Sequence, residues 1–88
     1  MDPKLLDTYV GTYQLGEDIK LTVTREGDHL FVQPEGQSKG QIFPESNRDF
    51  FLGDAQITFV TDSTRRATEL ILHQAGMDQH AKRTGATP

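Results

Sequence analysis

Few side chains in this sequence are of a type and spacing that could do chemistry, and three groups stand out. Gly36-Gln37-Ser38-Lys39-Gly40 is a literal G-x-S-x-G string. That spacing serves a nucleophilic serine when a strained strand-to-helix turn lifts its hydroxyl above a sheet, beside backbone N–H donors. Here Gln41-Ile42-Phe43-Pro44 follows, a strand pattern ended by proline, so the string reads as a polar hairpin loop. His73, Asp78 and His80 form the second group. If the chain between them turns in two residues at Ala75-Gly76, Gln74 pairs with Met77, His73 with Asp78 and Ile71 with His80. The three then share one face, a two-histidine, one-carboxylate set suited to a metal cation. A three-residue turn reverses the parity and separates them. With either turn, the plainer and favoured reading is solvent-facing polar residues near one end of the fold. The third group is Tyr9, Gly11 and Tyr13, on one face of a strand. Two phenols flanking a glycine can line a ligand cavity with apolar bodies and polar tips. Alternatively, the glycine admits a closely crossing backbone and the tyrosines close one end of a core.

The remaining candidates are weaker. Glu35 and Glu45 sit in different turns with no spacing that fixes a carboxylate pair, which gives general acid–base catalysis no support. The absence of cysteine excludes a disulfide framework, a zinc knuckle and thiol chemistry. Arg65-Arg66 and Lys82-Arg83 are short basic pairs in a chain of net charge −4, and they read as solvated charges. A nucleic-acid partner is not expected from that balance, and no cofactor is implied. No apolar run approaches the ~18–20 residues of a membrane span. Nor does the N-terminus carry a signal-peptide hydrophobic block, and a membrane partner is not expected. The compartment is left open.

The elements that must position these groups are strands. Eighty-eight residues with five Phe and two Tyr allow one small domain with a modest core. Only the start reads as helical: Asp2 is a cap, Pro3 suits the first position, and Leu5 and Leu6 supply apolar contact. From Tyr9 onward, short alternating runs are separated by turn residues every 8–12 positions. The runs are Tyr9–Leu15, Ile19–Arg25, His29–Pro34, Lys39–Phe43, Asp49–Leu52, Gln56–Val60, Ala67–Gln74 and Met77–Lys82. Connections this short force antiparallel neighbours. Ile19, Leu21, Val23, Leu30 and Val32 are expected to face the core, as are Ile57, Phe59, Leu70 and Leu72. The predicted fold is all-β, a small antiparallel up-and-down barrel of about eight short strands, because closure removes exposed edges. Its interior is expected to be mostly filled, with Phe43, Phe50, Phe51 and Phe59 to accommodate. The predicted boundaries are a helical turn over 1–8, the barrel over 9–83 and a frayed tail over 84–88.

One ordered set of residues carries a family resemblance. Tyr9-Val10-Gly11-Thr12-Tyr13, Leu21 to Asp28, Leu30-Phe31-Val32-Gln33, Ile57-Thr58-Phe59, Leu72-His73-Gln74, Gly76 and Ala81-Lys82-Arg83 follow one another in sequence. The set resembles small lipocalin-like domains of unknown function found C-terminal to serine hydrolases related to class C β-lactamases and penicillin-binding proteins. The resemblance implies an accessory domain, with catalysis housed in a neighbouring hydrolase domain, and names no catalytic residue here. No Ser-x-x-Lys occurs, so the acylation motif of those hydrolases is missing from these 88 residues.

Outward apolar residues then gain weight. A two-residue turn at Gly27-Asp28 pairs Val23 with Val32 and leaves Phe31 outside beside Thr22 and Thr24. The Phe50-Phe51 pair cannot place both rings inward, and Ile71 opposes the Leu70/Leu72 face. The outward residues Phe31, Phe51 and Ile71 suggest a contact surface, and the resemblance implies its partner: a serine hydrolase domain or a second copy, with this chain a non-catalytic interaction module. The alternative is a small-molecule binder using the barrel mouth, with Tyr9, Tyr13, Gln33 and His73 as polar handles on an apolar cavity.

Overall fold

The computed structural model describes residues 3–85. One helix, α1 (Pro3–Asp7), precedes eight strands: β1 (Gly11–Leu15), β2 (Ile19–Glu26), β3 (His29–Pro34), β4 (Gly40–Pro44), β5 (Asp49–Leu52), β6 (Ala55–Thr61), β7 (Ala67–Gln74) and β8 (Met77–Gly85). Each strand pairs antiparallel with the next, and β1 pairs with β8, so the sheet closes into the predicted eight-strand barrel. Strand β8 runs through Thr84 and Gly85, which the sequence reading placed in the tail. Thr12 pairs with Gly85, and the Thr12 and Thr84 hydroxyls lie 3.0 Å apart, so barrel closure itself orders this stretch. Residues 86–88 and the proposed Asp2 cap lie outside the described residues.

Turn chemistry sets the registers. Glu26 pairs with His29 across Gly27-Asp28, with Gly27 at φ 62° in the position a type II′ turn reserves for glycine. The predicted Val23–Val32 pair follows. Ala75 and Gly76 have φ of 54° and 75°, the signature of a two-residue type I′ turn. Gln74–Met77, His73–Asp78 and Ile71–His80 are therefore partners, as expected.

Four aromatic rings fill one half of the interior. Tyr9 stacks on Phe59 at a centroid distance of 4.3 Å, and Phe50 meets both edge-on at 6.0 and 5.6 Å. Tyr13 packs on the far side of Phe59 at 5.9 Å. Leu6 of α1 is buried in the same cluster, and the Asp7 carboxylate accepts from Arg25 Nε at 2.6 Å, tying the helix to β2. This end of the barrel is thus plugged. Leu21, Val23, Leu30, Val32, Ile57, Phe59 and Leu70 face inward as predicted. Ile19 lies on the same inner face but is 44 % exposed, because β2 begins at the opposite, uncapped end. Phe43 departs from the expected core position, since Ile42 takes the inward site and alternation turns Phe43 out to 45 % exposure.

Candidate functional site

The outer wall of β3 to β7 collects most of the residues singled out from sequence. Phe51 stands outward on β5 and pairs with Phe43 of β4, ring centroids 5.7 Å apart. Across β6, Gln56 is the partner of both Phe51 and His73, and Thr58 is the partner of both Asp49 and Ile71. Phe51 and Ile71 therefore occupy one wall, two strands apart. Phe31 lies on the same wall further along, half-buried, with Lys39 Nζ 4.8 Å above its ring. The Lys39 ammonium also pairs with Glu26, so this ring already carries a cationic cover. Phe43 was missed by sequence reasoning. The signal for it was present: Ile42 and Phe43 are adjacent, so strand alternation lets only one of them face inward.

A chain of polar contacts crosses the same wall. The Thr58 hydroxyl donates to Asp49 Oδ1 at 2.7 Å and lies 3.1 Å from His73 Nε2. His73 Nδ1 in turn lies 2.6 Å from Asp78 Oδ1. Ser46 donates to the other Asp49 oxygen at 2.7 Å. The Thr58 and Ser46 hydroxyls hold the Asp49 carboxyl below the usual carboxylate range. Hydroxyl, imidazole and carboxylate are thus joined in the order of a hydrolytic triad. The chemistry differs, because the proton of Thr58 is committed to Asp49 and its strand backbone is engaged in the ladder on both sides. Asp49, Thr58 and Ser46 went unnoticed in the sequence, although a two-residue turn at Gly53-Asp54 pairs Asp49 with Thr58 directly.

The histidine–carboxylate set converges only in part. His73 and Asp78 meet, whereas His80 Nδ1 turns to Glu69 Oε1 at 3.0 Å. Among the described residues no group of three His, Asp or Glu side chains is placed to hold a metal ion. Glu69 is the reason: two residues before Ile71 on β7, it reaches His80 along the wall.

Tyr9 and Tyr13 are not cavity handles. Both are fully buried, and their hydroxyls are spent on backbone carbonyls, Tyr9 donating to Asn47 at 2.7 Å and Tyr13 to Tyr9 at 2.8 Å. Burial pushes the Tyr13 phenol up to about 12, with the nearby Arg83 charge opposing. Gln33 faces outward and donates to the Gln37 carbonyl at 3.0 Å. It shares neither a pocket nor a strand end with the tyrosines or with His73. Ser38 lies in the loop between β3 and β4 with no helix after it. The basic pairs meet only in part: Arg65, Arg66 and Arg83, without Lys82, line an open groove of about 680 Å³ at the plugged end. Within it, Arg83 Nη1 and Nη2 donate to the carbonyls of Ala67 and Val10 at 3.2 and 2.6 Å.

Comparison with known proteins sets this barrel in context. The chain is 31 % identical over 88 residues to Penicillin-binding protein 4* of Bacillus subtilis (strain 168), an alignment covering 96 % of this chain and 19 % of that protein. It therefore spans about a fifth of the length of that relative. No solved structure matches. Among the described residues, no helix is long and apolar enough to cross a membrane. Residues 1–86 match the model of the family described as "Domain of unknown function (DUF3471)". The closed barrel, the ordered residues that resemble domains associated with serine hydrolases, and the likeness to part of a penicillin-binding protein agree: this chain belongs to the DUF3471 family.

Proposed function

We propose that this domain is a non-catalytic accessory module that packs its outer β3–β7 wall against a serine hydrolase domain of the penicillin-binding-protein and β-lactamase-related class. The observation that carries the reading is the Phe43–Phe51 pair, two neighbouring aromatic rings left in water on a wall that also bears Ile71 and Phe31. Single exposed apolar residues are ordinary, but contiguous ones mark contact surfaces. Likeness to about a fifth of a penicillin-binding protein supplies the kind of partner. The non-catalytic character rests on chemistry: Ser38 has no strand-to-helix elbow, and the Thr58 hydroxyl gives its proton to Asp49.

Binding to a separately produced penicillin-binding-protein hydrolase domain, followed by titration calorimetry, tests the reading. Phe51→Ser is expected to weaken the complex at least tenfold while leaving the barrel folded, since the ring is outside the core. Affinity unchanged in both Phe51→Ser and Phe43→Ser would remove the wall from the interface. A homodimer in native mass spectra that dissociates in Phe51→Ser would instead assign the wall to self-association.

A further inference from the structure

The two ends of the barrel are built differently. One is closed by α1 and the aromatic cluster. The other, ringed by the β1–β2, β3–β4, β5–β6 and β7–β8 turns, has no helix across it. Beneath this open end lies a well of about 320 Å³, with Leu21, Val32, Ile57 and Leu70 forming its walls and floor. Ile19 and Leu52 stand at the rim, 44 % and 38 % exposed. No ionisable side chain lines it, although charged residues make up 25 % of the sequence. Three carboxamides do, those of Gln37, Gln74 and Gln79, and among the described residues none has a side-chain hydrogen-bond partner. Each offers both a donor and an acceptor.

We propose that this mouth binds a small neutral molecule with an aliphatic or aromatic body and one hydrogen-bonding head group, such as an alcohol or an amide. The size follows from the volume, which accommodates about ten groups of water size at roughly 30 Å³ each. The occupant is small because the well lies inside a closed barrel, with strands β1, β2, β3, β5, β6, β7 and β8 all contributing to its lining. Neutrality follows from the lining, where a charge would lose its hydration and find no counter-ion. The body covers Ile19, Leu52 and Leu72, and the carboxamides meet the head. The site is distinct from the outer wall and from the tyrosines, which lie at the opposite end.

Titration of the 88-residue chain with 1-octanol, followed by backbone amide NMR shifts, tests this. Saturable shifts confined to residues around the mouth, among them Leu15, Leu72 and Gln79, are expected. Octanoate, with the same chain and a charged head, is expected to bind at least tenfold more weakly. Leu72→Glu should cost tenfold or more in octanol affinity. Ile19→Glu, at an exposed rim position that leaves the core intact, provides the same test if Leu72→Glu fails to fold. Shifts that do not saturate, that map to the Phe43–Phe51 wall, or that persist in both variants would overturn the proposal. So would a dimer that Ile19→Glu dissolves, since a second copy would then be the occupant.

Discussion

At the scale of single residues, Tyr13 shows how a polar tip can be made structural. Its phenol is wholly buried and donates to the Tyr9 carbonyl, so the fold holds the neutral form and raises the pKa to about 12. An unfolded tyrosine ionises near ~10. The stabilisation is therefore complete below pH 10 and is lost as pH rises from 10 towards 12. Urea midpoints measured from pH 8 to 11.5 are expected to fall steeply above pH 10 in the native chain. In Tyr13→Phe the fall should be shallower, with stability at pH 7 lower by about 1–2 kcal/mol because the Tyr9 carbonyl loses its donor. Tyr9, whose phenol burial also raises, supplies the residual slope. An equally steep fall in both proteins would mean that Tyr13 ionises freely.

Among the elements, the β7–β8 hairpin carries the clearest link from sequence to geometry. Two turn residues fix the parity, and the parity puts His73 against Asp78. Ala75 takes a left-handed conformation there, at φ 54°, that disfavours an L-residue by about 1–2 kcal/mol. Asparagine tolerates it, so Ala75→Asn is expected to stabilise the protein by about 0.5–1 kcal/mol and to raise Tm by roughly 3–6 °C in calorimetry. A lower Tm would show that the turn is not of type I′. Strand identities, hairpin registers and the inward residues were legible because period-two alternation and two-residue turns are local signals. The position of His80 opposite Ile71 was legible too, but not its contact, since its wall neighbour Glu69 takes the ring. Phe43 was misplaced by counting aromatics into a core whose bore holds only Tyr9, Tyr13, Phe50 and Phe59. A mouth was foreseen, but with Tyr9, Tyr13, Gln33 and His73 as its handles rather than Gln37, Gln74 and Gln79, because the number of strands does not reveal which end a five-residue helix covers.

For the whole molecule, closure between β1 and β8 is the decisive contact, and Gly11 makes it possible. At φ 151° it adopts a conformation few L-residues share. A Cβ there would collide with the Gly85 carbonyl oxygen and lie 3.0 Å from Arg83 Nε. Gly11→Ala is expected to destabilise the barrel by about 3 kcal/mol, read from urea unfolding, because strain and displacement of β8 act together. A cost below about 1 kcal/mol would show that β8 can shift freely at this point. The same closure brings Thr12 beside Gly85. The first and last strands are thus neighbours, and their outer ends emerge together at the plugged end. In mechanical terms the β1–β8 pairing is the seam of a hoop: a force that draws Gly11 and Gly85 apart opens the barrel along its whole length, with no other pairing sharing that load. The mouth lies at the opposite end from the Thr12–Gly85 pairing, so a break that starts at Gly85 reaches it last.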